Sequence, residues 1–221
     1  MAPHALLLDF DGVIADTENI HIAAWQRTFA RLGWEMADEI CARAVEVDDR
    51  SFFAEVLAQK KIEGGDVEGW VRWKQELTRS MLADAPRIYP GVEALVHAVR
   101  PLARLAVVTT TWRVNVETVL AATGLAGAFD AVIAKEDVRA VKPDPECYRL
   151  ALERLGIPAA AACALEDSPT GLAAAQGAGI PVVAVGHRRE AGEWSAVVPF
   201  VADLTRTDVV LQVLGFRRPG G

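Results

Sequence analysis

At 221 residues the chain is long enough for one substantial core, or for a core domain with a smaller companion. A hydrophobic fraction of 52%, a charged fraction of 24% and a net charge of −7 describe a globular protein whose acidic surface excludes non-specific binding to nucleic acid, which needs a basic one. No apolar run approaches the roughly 18–20 residues of a membrane span, and Met1-Ala2-Pro3-His4 lacks the positive start and long apolar stretch of a signal peptide. Three widely spaced cysteines, Cys41, Cys147 and Cys163, show no zinc spacing and read as buried free thiols. A cytoplasmic location, with no membrane and no nucleic-acid partner, is the expectation from these features.

The first element is Leu6-Leu7-Leu8, an apolar run that reads as a buried strand and ends in Asp9-Phe10-Asp11-Gly12. Residues i and i+2 of a strand face one side, so extended geometry carried to Asp11 would put both carboxylates together at the strand's end. Like charges at the edge of a core are costly unless something positive neutralises them. The pattern is either a polar turn or a site for a hard divalent cation, Mg²⁺ in particular.

Residues 17–85 contain no clear strand. His21 to Leu32 has helical spacing and stops at Gly33. Phe52 to Lys61 and Val67 to Leu82 do too, separated by Gly64-Gly65. This stretch reads as a helical insertion placed directly after the first strand. Tyr89-Pro90-Gly91 is turn-like and returns the chain to a sheet domain.

Beyond residue 103 strands and helices alternate. Leu105 to Thr109 reads as a strand and Val114 to Thr123 as a helix stopped by Gly124. Ala131 to Ala134 reads as a strand and Pro145 to Leu155 as a helix closed by Gly156. Ala161 to Leu165 is a third apolar run, again ending in acids, Glu166-Asp167. A helix opened by Pro169 and reaching Gly177 or Gly179 follows, then strands at Pro181–Val185 and Val197–Val201. Arg217 to Gly221 reads as a frayed tail. The alternation predicts a parallel sheet covered on both faces, in which ligands bind beyond the carboxyl ends of the strands. Three runs end there in polar groups: Asp9/Asp11, Thr109/Thr110 and Glu166/Asp167.

Each remaining motif has a plain reading beside a functional one. Lys142, in Val141-Lys142-Pro143-Asp144-Pro145, is a solvated loop lysine or a cation aimed by a stiff turn. Thr109-Thr110-Thr111 is a strand end or helix cap, or places a donor hydroxyl at Thr109. Glu166-Asp167-Ser168-Pro169-x-Gly171 is a helix N-terminus, an anion platform, or both.

Taken in chain order, Asp9-x-Asp11-Gly12, the strand ending at Thr109, Lys142 and Glu166-Asp167-Ser168-Pro169-x-Gly171 resemble the haloacid dehalogenase superfamily over nearly the whole chain. The resemblance implies a Rossmann-like α/β core of residues 1–16 and 86–221, with a small all-helical cap of residues 17–85 inserted after the first strand. It implies Mg²⁺-dependent hydrolysis of a phosphomonoester. Asp9 would be the nucleophile that forms an aspartyl-phosphate, and Asp11 the general acid and then base. Asp9, the backbone carbonyl of Asp11, Asp167 and Glu166 would hold Mg²⁺. Thr109, backbone N–H groups near Thr110, Gly12 and Lys142 would bind the phosphoryl group.

Asp16-Thr17-Glu18-Asn19-Ile20-His21-x-x-x-Trp25 resembles the branch that contains β-phosphoglucomutases and sugar-phosphate and phosphoglycolate phosphatases. That likeness implies a role for His21 near the general acid and a substrate-facing Lys74. Trp112 and Arg113 are further candidates for substrate contact, against helix-start packing and a solvated arginine. Mutases of the branch carry a glycine and an arginine in a cap loop near Val45-Glu46-Val47-Asp48-Asp49-Arg50-Ser51. Here Glu46, Asp48 and Asp49 make the loop acidic and no glycine is present, although Arg50 could reach a distal phosphate. An acidic loop repels a second phosphate. The expected function is therefore a phosphatase acting on a small phosphorylated metabolite such as a sugar phosphate. The alternatives are a β-phosphoglucomutase-like isomerase and a non-catalytic binding or regulatory member of the fold. The partner is a small phosphorylated metabolite and the assembly a monomer or homodimer. Trp70, Trp73 and Trp194 either pack in a core or cover a subunit contact.

Overall fold

The computed structural model of the chain describes residues 2–45, 47–187 and 198–216. It divides into two compact units, one of residues 1–16 and 87–221, the other of residues 17–86. Glu46, Trp194, Val197 and the 217–221 tail, each of which entered the expectations above, lie outside the described residues.

The first unit is built on a six-stranded sheet. Its strands are β1 (Ala5–Leu8), β2 (Arg104–Val108), β3 (Ala131–Ile133), β4 (Ala162–Glu166), β5 (Val182–Val185) and β6 (Phe200–Val201). They pair in the order β3-β2-β1-β4-β5-β6, every pair parallel. The strands read as unbroken apolar runs because both faces are covered. On one face Leu7, Ala106, Val108, Ala164 and Ala184 pack with Tyr148, Ala151, Leu152, Ala174 and Ala175. The last five lie on α7 (Glu146–Leu155) and α8 (Pro169–Gly177). On the other, Leu6, Leu8, Leu105, Val107, Leu165 and Val183 are equally buried, with α5 (Val92–Val99) against β2 and α9 (Thr207–Val213) against both α5 and β6. The remaining helix of the unit, α6 (Arg113–Ala122), follows β2. Neither α5 nor α9 was among the expected elements; they are eight and seven residues long, too short to establish a helical period against flanking loops.

β1 lies between β2 and β4: the chain runs outward through β2 and β3 and then crosses back to β4 on the other side of β1. Open parallel sheets bind their ligands in the crevice beyond the carboxyl ends of the strands at such a reversal. Sheet pairing runs as far as Asp9, whose N–H donates to the Leu165 carbonyl at 3.0 Å. Extended geometry does not persist to Asp11. The chain turns at Phe10–Gly12, where the N–H groups of Ile14 and Ala15 both donate to the Phe10 carbonyl, at 2.9 and 2.8 Å. Gly12 takes φ = 83°, a left-handed conformation that glycine adopts without steric cost. Ala15 then bridges antiparallel to Ile88, tying the two chain segments that bound the second unit.

Every described element of the second unit is helical: α1 (Glu18–Arg31), α2 (Asp38–Ala42), a 3₁₀ turn at 43–45, α3 (Asp49–Gln59) and α4 (Val67–Asp84). Helix α1 begins three residues before the expected His21, and α3 three before Phe52, because Asp48 caps α3 by accepting the N–H groups of Arg50 and Ser51. The interior is aromatic. Trp25 stacks on Phe29 and Phe53 with centroids 5.3 and 5.7 Å apart and meets Phe52 edge-on at 5.1 Å, each such pair adding about 0.5–1.5 kcal/mol beyond its burial.

Beside this cluster lies a buried ion pair. Lys74, 1% exposed, places Nζ 2.7 Å from Asp49 Oδ1 and 2.9 Å from His21 Nδ1. Trp25 Nε1–H donates to the same Asp49 oxygen at 3.1 Å. Burial alone would raise the Asp49 pKa, but the Lys74 ammonium, its hydrogen bond, His21 and Gln75 outweigh it and hold the carboxyl below the usual range.

Two predictions follow from this pair. Lys74→Ala leaves the Asp49 carboxylate in a desolvated site without its ammonium. It is expected to cost about 3 kcal/mol, read as a lower urea midpoint by circular dichroism. Because the folded pKa of Asp49 is depressed, its contribution is complete above the unfolded value of about 3.9 and is lost as pH falls through the folded one. The stability gap between the native protein and Asp49→Asn therefore narrows from pH 7 toward pH 2; a gap independent of pH would contradict the pairing.

Candidate functional site

The crevice beyond β1 collects side chains from four segments. Asp9 follows β1, Thr109 follows β2, Glu166 ends β4 with Asp167 next, and Lys142 sits in the loop that precedes α7. Asp9, Thr109, Glu166 and Asp167 are all buried. One ligand oxygen from each of Asp9, Glu166 and Asp167 lies within 4.8 Å of the others. Lys142 joins the group: its Nζ donates to Asp9 Oδ1 at 2.8 Å, to Glu166 Oε1 at 2.6 Å and to the Val108 carbonyl at 2.9 Å. All three ammonium hydrogens thus have acceptors, so the lysine is aimed rather than solvated.

Burial shapes the protonation of this group. It pushes Asp9 up, and the nearby Asp167 adds to that while Lys142 opposes it. Glu166 is driven up to about 8 by burial and by Asp9, against the pull of Lys142 and Tyr148. Burial would lower Lys142, yet Asp9 and Glu166 hold it well above its ordinary value, so it is a permanent cation. When all four groups are ionised, three carboxylates face one ammonium, an excess of two negative charges in a desolvated crevice. A divalent cation cancels that excess, and an all-carboxylate donor set is the chemistry of hard ions rather than of zinc or copper. The residues therefore fit a hard divalent metal.

Asp11 stands apart from the three-carboxylate group. Its Oδ2 accepts the Thr111 hydroxyl at 2.6 Å and, more weakly, the Thr109 hydroxyl at 3.4 Å. The Thr111 N–H in turn donates to Thr109 Oγ1 at 3.0 Å, and Thr109 N–H to the Ile133 carbonyl at 2.9 Å. The two threonines and Asp11 form one short network at the mouth of β2. Thr111 was not among the expected site residues; a third threonine in a row carries no signal that it reaches back over 100 positions. Thr110 is exposed beside them. The N–H of Gly12 is spent on the Ala15 carbonyl at 3.0 Å.

The helix-start reading of the Glu166–Gly171 motif holds. Ser168 caps α8 by accepting the Gly171 N–H at 3.0 Å, with Pro169 opening the helix. The same turn carries Glu166 and Asp167 to the crevice. Tyr148, also absent from the expectations, is fully buried and its hydroxyl donates to Glu166 Oε1 at 2.5 Å. On an amphipathic helix a buried tyrosine reads as core, which is why its hydroxyl was missed.

Other expected contacts fall elsewhere. Arg113 is held by Asp137 and by the Val132 carbonyl of the edge strand β3, with Glu117 3.8 Å away; it is a strut between α6 and that edge, not a free substrate-binding cation. Trp112 is the residue before α6, with Lys135 Nζ 5.2 Å from its ring centre. In the second unit Arg50 forms an exposed pair with Glu68 at 2.9 Å, while His21 and Lys74 belong to the interior pair with Asp49. The loop described as acidic is therefore not a bare negative surface. Asp49 is neutralised by Lys74, while Asp48 keeps its carboxylate as a helix cap and Glu46 lies outside the described residues.

A model of the haloacid dehalogenase-like hydrolases matches residues 6–185. The protein CbbY of Rhodobacter capsulatus is 34% identical over 189 residues, 81% of this chain and 83% of the relative. The fructose-1-phosphate phosphatase YqaB of Escherichia coli is 32% identical, over 81% of this chain and 95% of its own. Among solved structures, a variant of CbbY from Rhodobacter sphaeroides in complex with xylulose-1,5-bisphosphate superposes with a TM-score of 0.80 at 31% identity, over 92% of this chain and 96% of that one. The carboxylate crevice with its buried lysine, on a six-stranded parallel sheet, thus sits in a chain that belongs to the haloacid dehalogenase-like hydrolases.

Proposed function

We propose that the protein is a Mg²⁺-dependent phosphatase of small phosphorylated metabolites, sugar phosphates in particular, working through an aspartyl-phosphate on Asp9. The observation that carries this reading is the single ammonium of Lys142 shared by Asp9 and Glu166 next to Asp167. A carboxylate is a weak nucleophile toward a dianionic phosphate, so such a reaction depends on concentrating positive charge where the two meet. The names of the relatives support the substrate class, since one is a phosphatase of fructose-1-phosphate and another was solved with a sugar bisphosphate.

Asp9 attacks phosphorus through a carboxylate oxygen, and the bond from phosphorus to the ester oxygen breaks. Asp11 gives its proton to the departing alkoxide, then as a carboxylate takes a proton from the water that attacks the aspartyl-phosphate. Inorganic phosphate leaves and Asp9 is restored. Lys142 opposes the protonation of Asp9, orients it, and lowers the charge on the phosphoryl oxygens. Thr109 supplies a hydroxyl beside them, with Thr111 holding Asp11. Asp9, the Asp11 carbonyl, Asp167 and Glu166 would hold Mg²⁺, which when bound screens nucleophile and phosphate from each other.

Isomerisation of a phosphosugar is the second reading, favoured by one observation: Lys74 neutralises Asp49, which lowers the repulsion that argued against bisphosphates. Phosphate release from a panel of sugar phosphates, sugar bisphosphates and phosphoglycolate, with Mg²⁺ and with EDTA, separates the two. Mg²⁺-dependent release is expected. Conversion of β-glucose-1-phosphate to glucose-6-phosphate with little release would instead establish the isomerase. Asp9→Asn is expected to lower kcat by roughly 10³-fold or more with an unchanged circular dichroism spectrum; retained turnover would remove Asp9 as nucleophile. Asp167→Ala is expected to raise the Mg²⁺ concentration for half-maximal rate at least about tenfold, and an unchanged requirement would remove Asp167 from the metal site.

A further inference from the structure

Glu166 makes more contacts than a metal-facing carboxylate requires. Its Oε1 accepts two hydrogen bonds, from Lys142 Nζ at 2.6 Å and from the Tyr148 hydroxyl at 2.5 Å. Its Oε2 lies 3.5 Å from the Ser168 hydroxyl. Gly171 presses on the carboxylate as well: a Cβ added there would stand 2.0 Å from Oε2 and 2.2 Å from the carboxyl carbon. Tyr148 is completely buried on α7, and its ring centre lies 5.4 Å from Lys142 Nζ. One tyrosine therefore contacts both members of the Lys142–Glu166 pair, through its hydroxyl and through its π-face.

We infer that Tyr148 is a positioning residue for the metal site, acting through Glu166, with Gly171 leaving the space that the clamped carboxylate fills. This rests on the reading of Asp9, Glu166 and Asp167 as the holders of a divalent cation. A glutamate has three rotatable side-chain bonds and, released, could follow Lys142 or turn toward Ser168. With both lone pairs of Oε1 engaged and Oε2 set between Gly171 and the Ser168 hydroxyl, the orientation of the carboxylate is fixed. Groups that orient a metal's carboxylates in this way typically change affinity by about 10–100-fold when removed. Tyr148 cannot serve as a proton donor in turnover: its hydroxyl is sealed in the interior, and burial and Glu166 hold it protonated far above the ordinary phenol range.

The test is Tyr148→Phe, which keeps the ring, the packing and the contact with Lys142 and deletes only the hydroxyl. Mg²⁺ binding to the free protein is measured by calorimetry and by the rise in melting temperature on adding Mg²⁺, and steady-state kinetics are recorded alongside. The expected result is a tenfold or greater weakening of Mg²⁺ binding, with kcat recovered in part at saturating Mg²⁺. Gly171→Ala, which invades the same carboxylate from its other side, is expected to give the same signature. Native-like Mg²⁺ affinity in a folded Tyr148→Phe protein, or tighter binding, would overturn the inference even if the metal-free melting temperature fell, because a merely structural hydrogen bond moves only that. Failure of the native protein to bind Mg²⁺ would overturn the metal reading itself, and so is distinguishable.

Discussion

One ammonium group organises the site. Lys142 Nζ closes its coordination with a carboxylate at the end of β1, a carboxylate at the end of β4 and a carbonyl at the end of β2, so it ties three neighbouring strands at the point where the chain's direction across the sheet reverses. An ammonium in that position is expensive to desolvate and is held there by the hydrogen bonds and charge of its partners. It in turn opposes the burial that pushes both Asp9 and Glu166 upward. With all four groups ionised the arrangement carries an excess of two negative charges, which a divalent cation would cancel before a phosphoryl group approached.

The fold delivers these groups with little local strain. A parallel sheet ends all its strands in one direction, so residues that merely follow apolar runs in sequence become neighbours in space. Asp9, Thr109 and Glu166 are each such residues. The turn at Phe10–Gly12 then separates the two aspartates into different surroundings, Asp9 against Lys142 and Asp11 against two threonine hydroxyls. Two carboxylates two positions apart are thereby given unlike environments, as the different roles proposed for them require.

The parts of this account that were legible in the sequence share a physical basis. Apolar runs buried on both faces and ending in polar residues mark strand ends without ambiguity, so the sheet and its acidic ends could be read directly. The role of Lys142 could be read only by resemblance, because nothing local distinguishes an aimed lysine from a solvated one. What escaped was pairing across the chain. Thr111 with Asp11, Tyr148 with Glu166 and Lys74 with Asp49 join positions 100, 18 and 25 residues apart, and each partner alone has an ordinary explanation. The 45–51 loop is less acidic than its sequence for the same reason: counting charges along the chain cannot see that Asp49 is already neutralised from α4.

The central claim is that Asp9 becomes covalently phosphorylated. Rapid mixing with a radiolabelled phosphate donor and Mg²⁺, quenched in acid within one turnover, tests it most directly. The account predicts protein-bound label that is lost on treatment with hydroxylamine, as an acyl phosphate is, and that maps to the peptide containing Asp9. Turnover without any such label, or label stable to hydroxylamine or mapping elsewhere, would contradict it.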